Sequence, residues 1–192
     1  MEKLIGLKKS KTAVFISGTG SNLNNLIKFS KINKSPVSIN LIISNTKKAK
    51  GLKYANKFNI KNKVFNFHNI KISEKNILLL LKKEKISFIF LAGFMKILSK
   101  NFIKKFDGRI VNIHPSLLPK YKGLNTHYKA IANKDKFAGC TVHYVTEKLD
   151  SGKIIMQKKI KIAAKDNVVS LAKKVLKQEH MLYPAAIMKI FN

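Results

Sequence analysis

Two polar side chains interrupt the apolar run Arg109-Ile110-Val111-Asn112-Ile113-His114-Pro115-Ser116. Alternate residues of a strand share a face, so Asn112 and His114 project the same way, and Pro115 stops the strand just beyond them. A buried face rarely carries an amide and an imidazole together without partners or a purpose. An amide N–H beside a protonatable imidazole suits hydrogen bonding to an oxygen that gains negative charge, which is the need of acyl transfer. The other reading is a pair of satisfied polar residues at a strand end. The stretch PSLLPKYKGLNTH that follows tilts the balance towards function. Asp150 is one of only 9 acidic residues among 39 basic ones and lies in the turn Leu149-Asp150-Ser151-Gly152. A carboxylate near His114 would stabilise imidazolium and raise its pKa. An Asp in such a turn also closes an Asx-turn, the reading its sequence context favours. Glu179, in Gln178-Glu179-His180, reads equally well as an exposed helix residue.

A second candidate is Ser17-Gly18-Thr19-Gly20-Ser21-Asn22, between an apolar run and a helical stretch. Glycines let the backbone turn sharply and approach a ligand closely. A helix N-terminus behind them offers free N–H groups and the positive end of its dipole, which suits a single phosphate. The loop is neither a dinucleotide fingerprint, lacking the third glycine, nor a P-loop, lacking its lysine and hydroxyl. A tight turn capped by Ser or Asn explains the same residues.

The elements that must hold these residues follow from periodicity. Strands are expected over 11–17, 37–44, 64–67, 86–92 and 108–114, and helices over 22–33, 48–58, from an N-cap at Ser73 to about Lys85, and 99–106. Strands alternating with helices imply right-handed βαβ units and a parallel sheet. Residues 137–146 and 153–162 read as a hairpin or antiparallel extension, and 166–190 as a long helix interrupted near Pro184. The fold expected is therefore α/β: a Rossmann-like, open, mostly parallel sheet with helices on both faces and an antiparallel C-terminal extension. In such sheets ligands sit beyond the carboxyl ends of the strands, which directs attention to the residues after Ser17, Ala92 and Ile113.

The 192 residues fit one domain spanning 1–192, with 45% hydrophobic and 25% charged residues. No apolar run reaches membrane-spanning length. The N-terminal MEKLIGLKKSKTAVFISG lacks the order of a signal peptide. The single cysteine, Cys140, excludes an internal disulfide and a cysteine-built zinc site. It lies in a strand-like run with no activating motif, so it is not expected to be a nucleophile. These features suit a cytoplasmic setting. The formal charge of +30 admits nucleic-acid binding, but the lysines are dispersed and Arg109 is the only arginine. The charge reads mainly as drift on a solvated surface, of the kind an AT-rich genome writes, and it should draw anionic substrates into a cleft.

Six stretches, in order, closely resemble the folate-dependent glycinamide ribonucleotide formyltransferases: ISGTGSNL (16–23), LAGFMKILS (91–99), GRIVNIHPSLLPKYKGL (108–124), THYKAI (126–131), GCTVHYVTEKLDSG (139–152) and QEHMLYP (178–184). The resemblance implies transfer of the formyl group of 10-formyltetrahydrofolate, as co-substrate, to the amine of glycinamide ribonucleotide in purine biosynthesis. It implies Asn112, His114 and Asp150 as the catalytic trio. Gly20, Ser21, Asn22, Leu23 and Asn24 would line the phosphoribosyl site and Glu179 would contact the ribose. Met95, Lys96, Ile97 and Leu98 would pack on the folate pterin through backbone contacts, with Asn112 also reaching the folate. No metal, membrane or specific nucleic acid is implied, and a monomer or homodimer is expected. Relatives that hydrolyse the same folate or formylate sugar nucleotides share the central motifs. The former carry an extra N-terminal domain, and the latter a substrate that fits the short glycine loop less well. Lys122 replaces a frequent proline and Asn125 a common histidine. A basic folate contact between Phe67 and Ser73 has no evident counterpart.

Overall fold

The computed structural model describes residues 9–192; the N-terminal reading over residues 1–8 lies outside the described residues. The elements are β1 (Ser10–Ile16), α1 (Ser21–Ser30), β2 (Val37–Ser44), α2 (Leu52–Lys57), β3 (Lys61–Val64), α3 (Ile70–Lys83), β4 (Phe88–Leu91), α4 (Lys100–Lys105), β5 (Arg109–His114), α5 (Thr126–Ala132), β6 (Phe137–Tyr144), β7 (Ile154–Lys161) and α6 (Val168–Phe191). They build one seven-stranded sheet in the order β3-β2-β1-β4-β5-β6-β7. The first five strands are parallel, while β5–β6 and β6–β7 are antiparallel. This is the expected open α/β sheet with its antiparallel extension.

Strand order reverses between β1 and β4, so the loops after these two strands flank the crevice where such sheets bind ligands. The inner strands are apolar on both faces because both are covered. Val14, Ile16, Phe90 and Val111 pack against Leu23 and Leu26 of α1 and Leu171, Val175 and Tyr183 of α6. Ala13, Phe15, Leu41 and Ile89 pack on the other face against Ile77 and Leu81 of α3 and Phe102 of α4.

Three expectations are corrected and one element is added. The third strand is Lys61–Val64, not 64–67. It is an edge strand whose polar residues face solvent, and the apolar run after it delivers Phe67 into the core. Helix α3 starts at Ile70 because Asn69 caps it, its side chain accepting from the Ile72 N–H. Ser73 lies inside the helix and donates to the Asn66 carbonyl at 2.5 Å. Helix α5 had no counterpart in the sequence reading, its seven residues being too few for a clear period. Helix α6 runs through Pro184 without interruption. Proline removes the N–H that would reach the His180 carbonyl, and Asn25 of α1 donates to that carbonyl at 2.6 Å instead.

Candidate active site

The glycine loop joins β1 to α1. Gly20 has φ 76, a left-handed conformation, and its Cα lies so close to Gly51 that an added Cβ would come within 2.5 Å of the Gly51 Cα. Gly51 is the hidden partner: its N–H donates to the Gly18 carbonyl at 3.0 Å. The loop therefore turns tightly against the start of α2 and leaves the first N–H groups of α1 pointing outward. Ser21 and Asn24 sit half-buried at that helix end, whereas the Leu23 side chain is in the core, leaving only its backbone to meet a ligand.

Asn22 donates to Glu179 Oε2 at 2.7 Å, and its own Oδ1 is buried without a partner among the described residues. Glu179 is 7% exposed, which overturns the reading of it as an exposed helix residue. Burial pushes its carboxyl above the ordinary value, more than the Asn22 hydrogen bond lowers it. Its placement comes from Tyr183, one helical turn later on α6, whose hydroxyl lies between the Leu91 and Val111 carbonyls at 3.1 and 3.0 Å.

After β4 the chain forms an exposed ledge. Gly93 has φ 72, the Phe94 ring tucks between Phe15 and Phe67, and Met95 and Ile97 stand 64% and 71% exposed. Two large apolar side chains held open beside a crevice mark a place for a ligand. Lys96 lies between them on the same exposed stretch, whereas the Leu98 side chain is buried and anchors the far end.

The third wall comes from β5, β6 and the turn between β6 and β7. Asn112 pairs across the ladder with His143, and its Nδ2 lies 3.3 Å from His143 Nε2. His143 Nδ1 faces the Tyr144 carbonyl at 2.9 Å, which places the proton there and leaves Nε2 to accept from the Asn112 amide. Asp150 has φ 45, and its turn folds back so that Oδ2 lies 3.4 Å from His114 Nδ1 and Oδ1 3.6 Å from His143 Nε2. The Gly123 N–H donates to the same Oδ2 at 2.8 Å, so Asp150 closes a tertiary contact rather than a local Asx-turn alone. The amide and the imidazole of β5 and the carboxylate from a turn distant in sequence thus stand on one wall.

The electrostatics differ from the expectation in one respect. Burial lowers the His114 pKa and outweighs the Tyr121 carbonyl and Asp150, which both raise it. Nε2 carries a proton, since it lies 2.8 Å from the acceptor-only Tyr121 carbonyl, and Nδ1 faces the Asp150 carboxylate. Burial pushes the Asp150 carboxyl upward, but the neighbouring His143 ring and the Gly123 N–H donated to Oδ2 outweigh it, so the carboxyl stays below its ordinary value. Cys140 is buried and its thiol is pushed up to about 12, which leaves it inert.

His143 is not among the residues expected at the site, although it lies in the stretch GCTVHYVTEKLDSG. The hairpin register, which sets it opposite Asn112, was the signal that could have found it. Lys122 donates to Ser151 at 2.5 Å, tying the Gly123 loop to the Asp150 turn. Asn125 takes φ 61 as it enters α5. Among the described residues no group of three or more His, Cys, Asp or Glu is placed to hold a metal ion, and no helix is long and apolar enough to cross a membrane.

Comparison with known proteins agrees with this geometry. The formyl transferase family matches residues 10–187. The phosphoribosylglycinamide formyltransferase of Haemophilus influenzae is 41% identical over 180 residues, covering 92% of this chain and 85% of that one. The trifunctional purine biosynthetic protein adenosine-3 of Homo sapiens is 41% identical over 183 residues, and there the chain spans only 18% of the relative's length. The crystal structure of the phosphoribosylglycinamide formyltransferase from Brucella melitensis superposes with a TM-score of 0.90 at 42% identity, covering 95% of this chain and 96% of that one. From the glycine loop to the Asp150 turn, the chain belongs to the formyl transferase family and, within it, to the phosphoribosylglycinamide formyltransferases.

Proposed function

We propose that the chain, as a single formyltransferase domain, transfers the formyl group of 10-formyltetrahydrofolate to the amine of glycinamide ribonucleotide, a step of purine biosynthesis in the cytoplasm. The observation that carries this reading is the meeting of Asn112, His114 and Asp150 at the end of β5, at the same carboxyl end of the parallel strands as the glycine loop and the Met95–Leu98 ledge. The glycine loop and Ser21–Asn24 receive the phosphoribosyl group, with Glu179 on the ribose. Met95–Leu98 and Asn112 receive the folate.

The amine attacks the formyl carbon and a tetrahedral oxyanion develops. Asn112 and the His114 Nε2–H donate to that oxygen. The Tyr121 carbonyl, which accepts from the same Nε2–H, gives way to it. His114 need not be charged beforehand, because an anion growing beside the ring favours the imidazolium that burial disfavours at rest. Asp150 supports that charge at Nδ1 and orders a water that carries the proton from the attacking amine to the departing folate nitrogen. His143 holds the Asn112 amide in register. No covalent enzyme intermediate is required, and the reading includes no metal.

With both substrates present, the protein should release tetrahydrofolate only when glycinamide ribonucleotide is supplied. Folate turnover without the ribonucleotide would establish the hydrolase reading instead. Replacing His114 by Ala should lower kcat by about a hundredfold or more without unfolding the protein.

A further inference from the structure

We propose that Ser17 and Glu74 are positioning residues that clamp the Gly93–Leu98 ledge from its two ends and thereby set the affinity for folate. The inference rests on the folate reading of that ledge. Met95 and Ile97 are exposed, and an exposed loop that orders only when ligand arrives draws the ordering cost from the binding energy. Here the ledge is pinned in advance. At its near end the Ser17 N–H donates to the Gly93 carbonyl at 3.1 Å, and the Met95 N–H donates to Ser17 Oγ at 2.7 Å. The Ser17 hydroxyl is thus directed across to the second loop rather than into the glycine turn to which it belongs.

The far end is held by a buried carboxyl that the catalytic reading does not use. Glu74 on α3 is 3% exposed, and both its oxygens are taken by Ser99, the residue after Leu98. Oε1 accepts the Ser99 N–H at 2.7 Å, and Oε2 accepts the Ser99 hydroxyl. Ser99 Oγ in turn accepts the Phe102 N–H at 3.1 Å, capping α4. Burying a carboxyl is a costly way to tie two helices when an apolar contact would serve. What it adds is a fixed direction at Ser99, next to the ledge.

The test is steady-state kinetics with 10-formyltetrahydrofolate and glycinamide ribonucleotide on Ser17→Ala, Glu74→Ala, Glu74→Gln and Ile97→Asp, with thermal unfolding alongside. Loss of either clamp should raise the KM for the folate about five- to tenfold, and by more than it raises the KM for the ribonucleotide, while kcat stays within about twofold. Glu74→Gln keeps an acceptor for the Ser99 N–H and should restore most of the affinity. An unchanged folate KM in folded Ser17→Ala, or an equal rise in both KM values, overturns the proposal, and Ser17→Ala decides alone if Glu74→Ala does not fold. Ile97→Asp separates the two layers. If it leaves the folate KM unchanged, the folate reading of the ledge fails. If it raises that KM while Ser17→Ala does not, only the clamp fails.

Discussion

His143 touches two members of the catalytic wall at once: its Nε2 is 3.3 Å from the Asn112 amide and 3.6 Å from Asp150. Replacing it by Phe would keep the bulk and remove the acceptor, leaving the Asn112 amide free to rotate. A kcat lower by about tenfold with little change in either KM is expected in stopped-time product assays. Asp150→Asn keeps an oxygen for the Gly123 N–H but removes the charge that supports imidazolium. Its kcat should fall by about a hundredfold or more. The meeting place of 112, 114 and 150 was legible before any coordinates, because an amide and an imidazole two apart on an apolar strand need an explanation. The downward shift of the His114 pKa was not legible. It depends on how thoroughly the fold buries the ring, and sequence supplies the carboxylate without the burial that outweighs it.

The strands and helices that carry the site were legible where they are long and doubly covered. β2 falls at its expected residues, and β1, β5 and β6 lie within two residues of theirs, since strands covered on both sides leave apolar runs, while the edge strand β7 follows from its hairpin with β6. Elements governed by a single tertiary contact were not. Helix α6 passes Pro184 because a side chain from another helix satisfies the carbonyl that proline orphans. Asn25→Ala should therefore destabilise the protein by about 1 kcal/mol or somewhat more, measured by urea unfolding, although Asn25 is far from α6 in sequence. The contact between Gly20 and Gly51 is another such case. A methyl at Gly51 would meet Ile16 Cδ1 at 2.8 Å and the Gly20 Cα at 2.9 Å. Gly51→Ala should weaken the affinity for the ribonucleotide while leaving folate affinity nearly intact, as titration calorimetry would read.

For the whole molecule, the charge of +30 bears on how anionic ligands arrive. Raising salt from about 0.05 to 0.5 M should lower kcat/KM several-fold while kcat holds, because dispersed lysines steer encounter and are screened. The titrating interior sets a second global property. Burial lowers the pKa of His114, His127 and His180, so each resists a proton that the unfolded chain accepts below about 6.5. Stability should therefore decline as pH falls through that value, with Glu179, whose pKa is raised, opposing the decline at lower pH. Melting temperatures across a pH series would show the fall, and His127→Gln should flatten it.

Glu179 reaches Asn22 across 157 positions of chain. During translation the glycine turn proposed to hold the phosphate emerges early, while the carboxyl that meets Asn22 waits for α6 to leave the ribosome. A nascent chain stalled before α6 should thus gain no protease resistance from glycinamide ribonucleotide, whereas the released chain should. Ligand rescue of newly made protein is in this way confined to chains whose synthesis has passed the final helix.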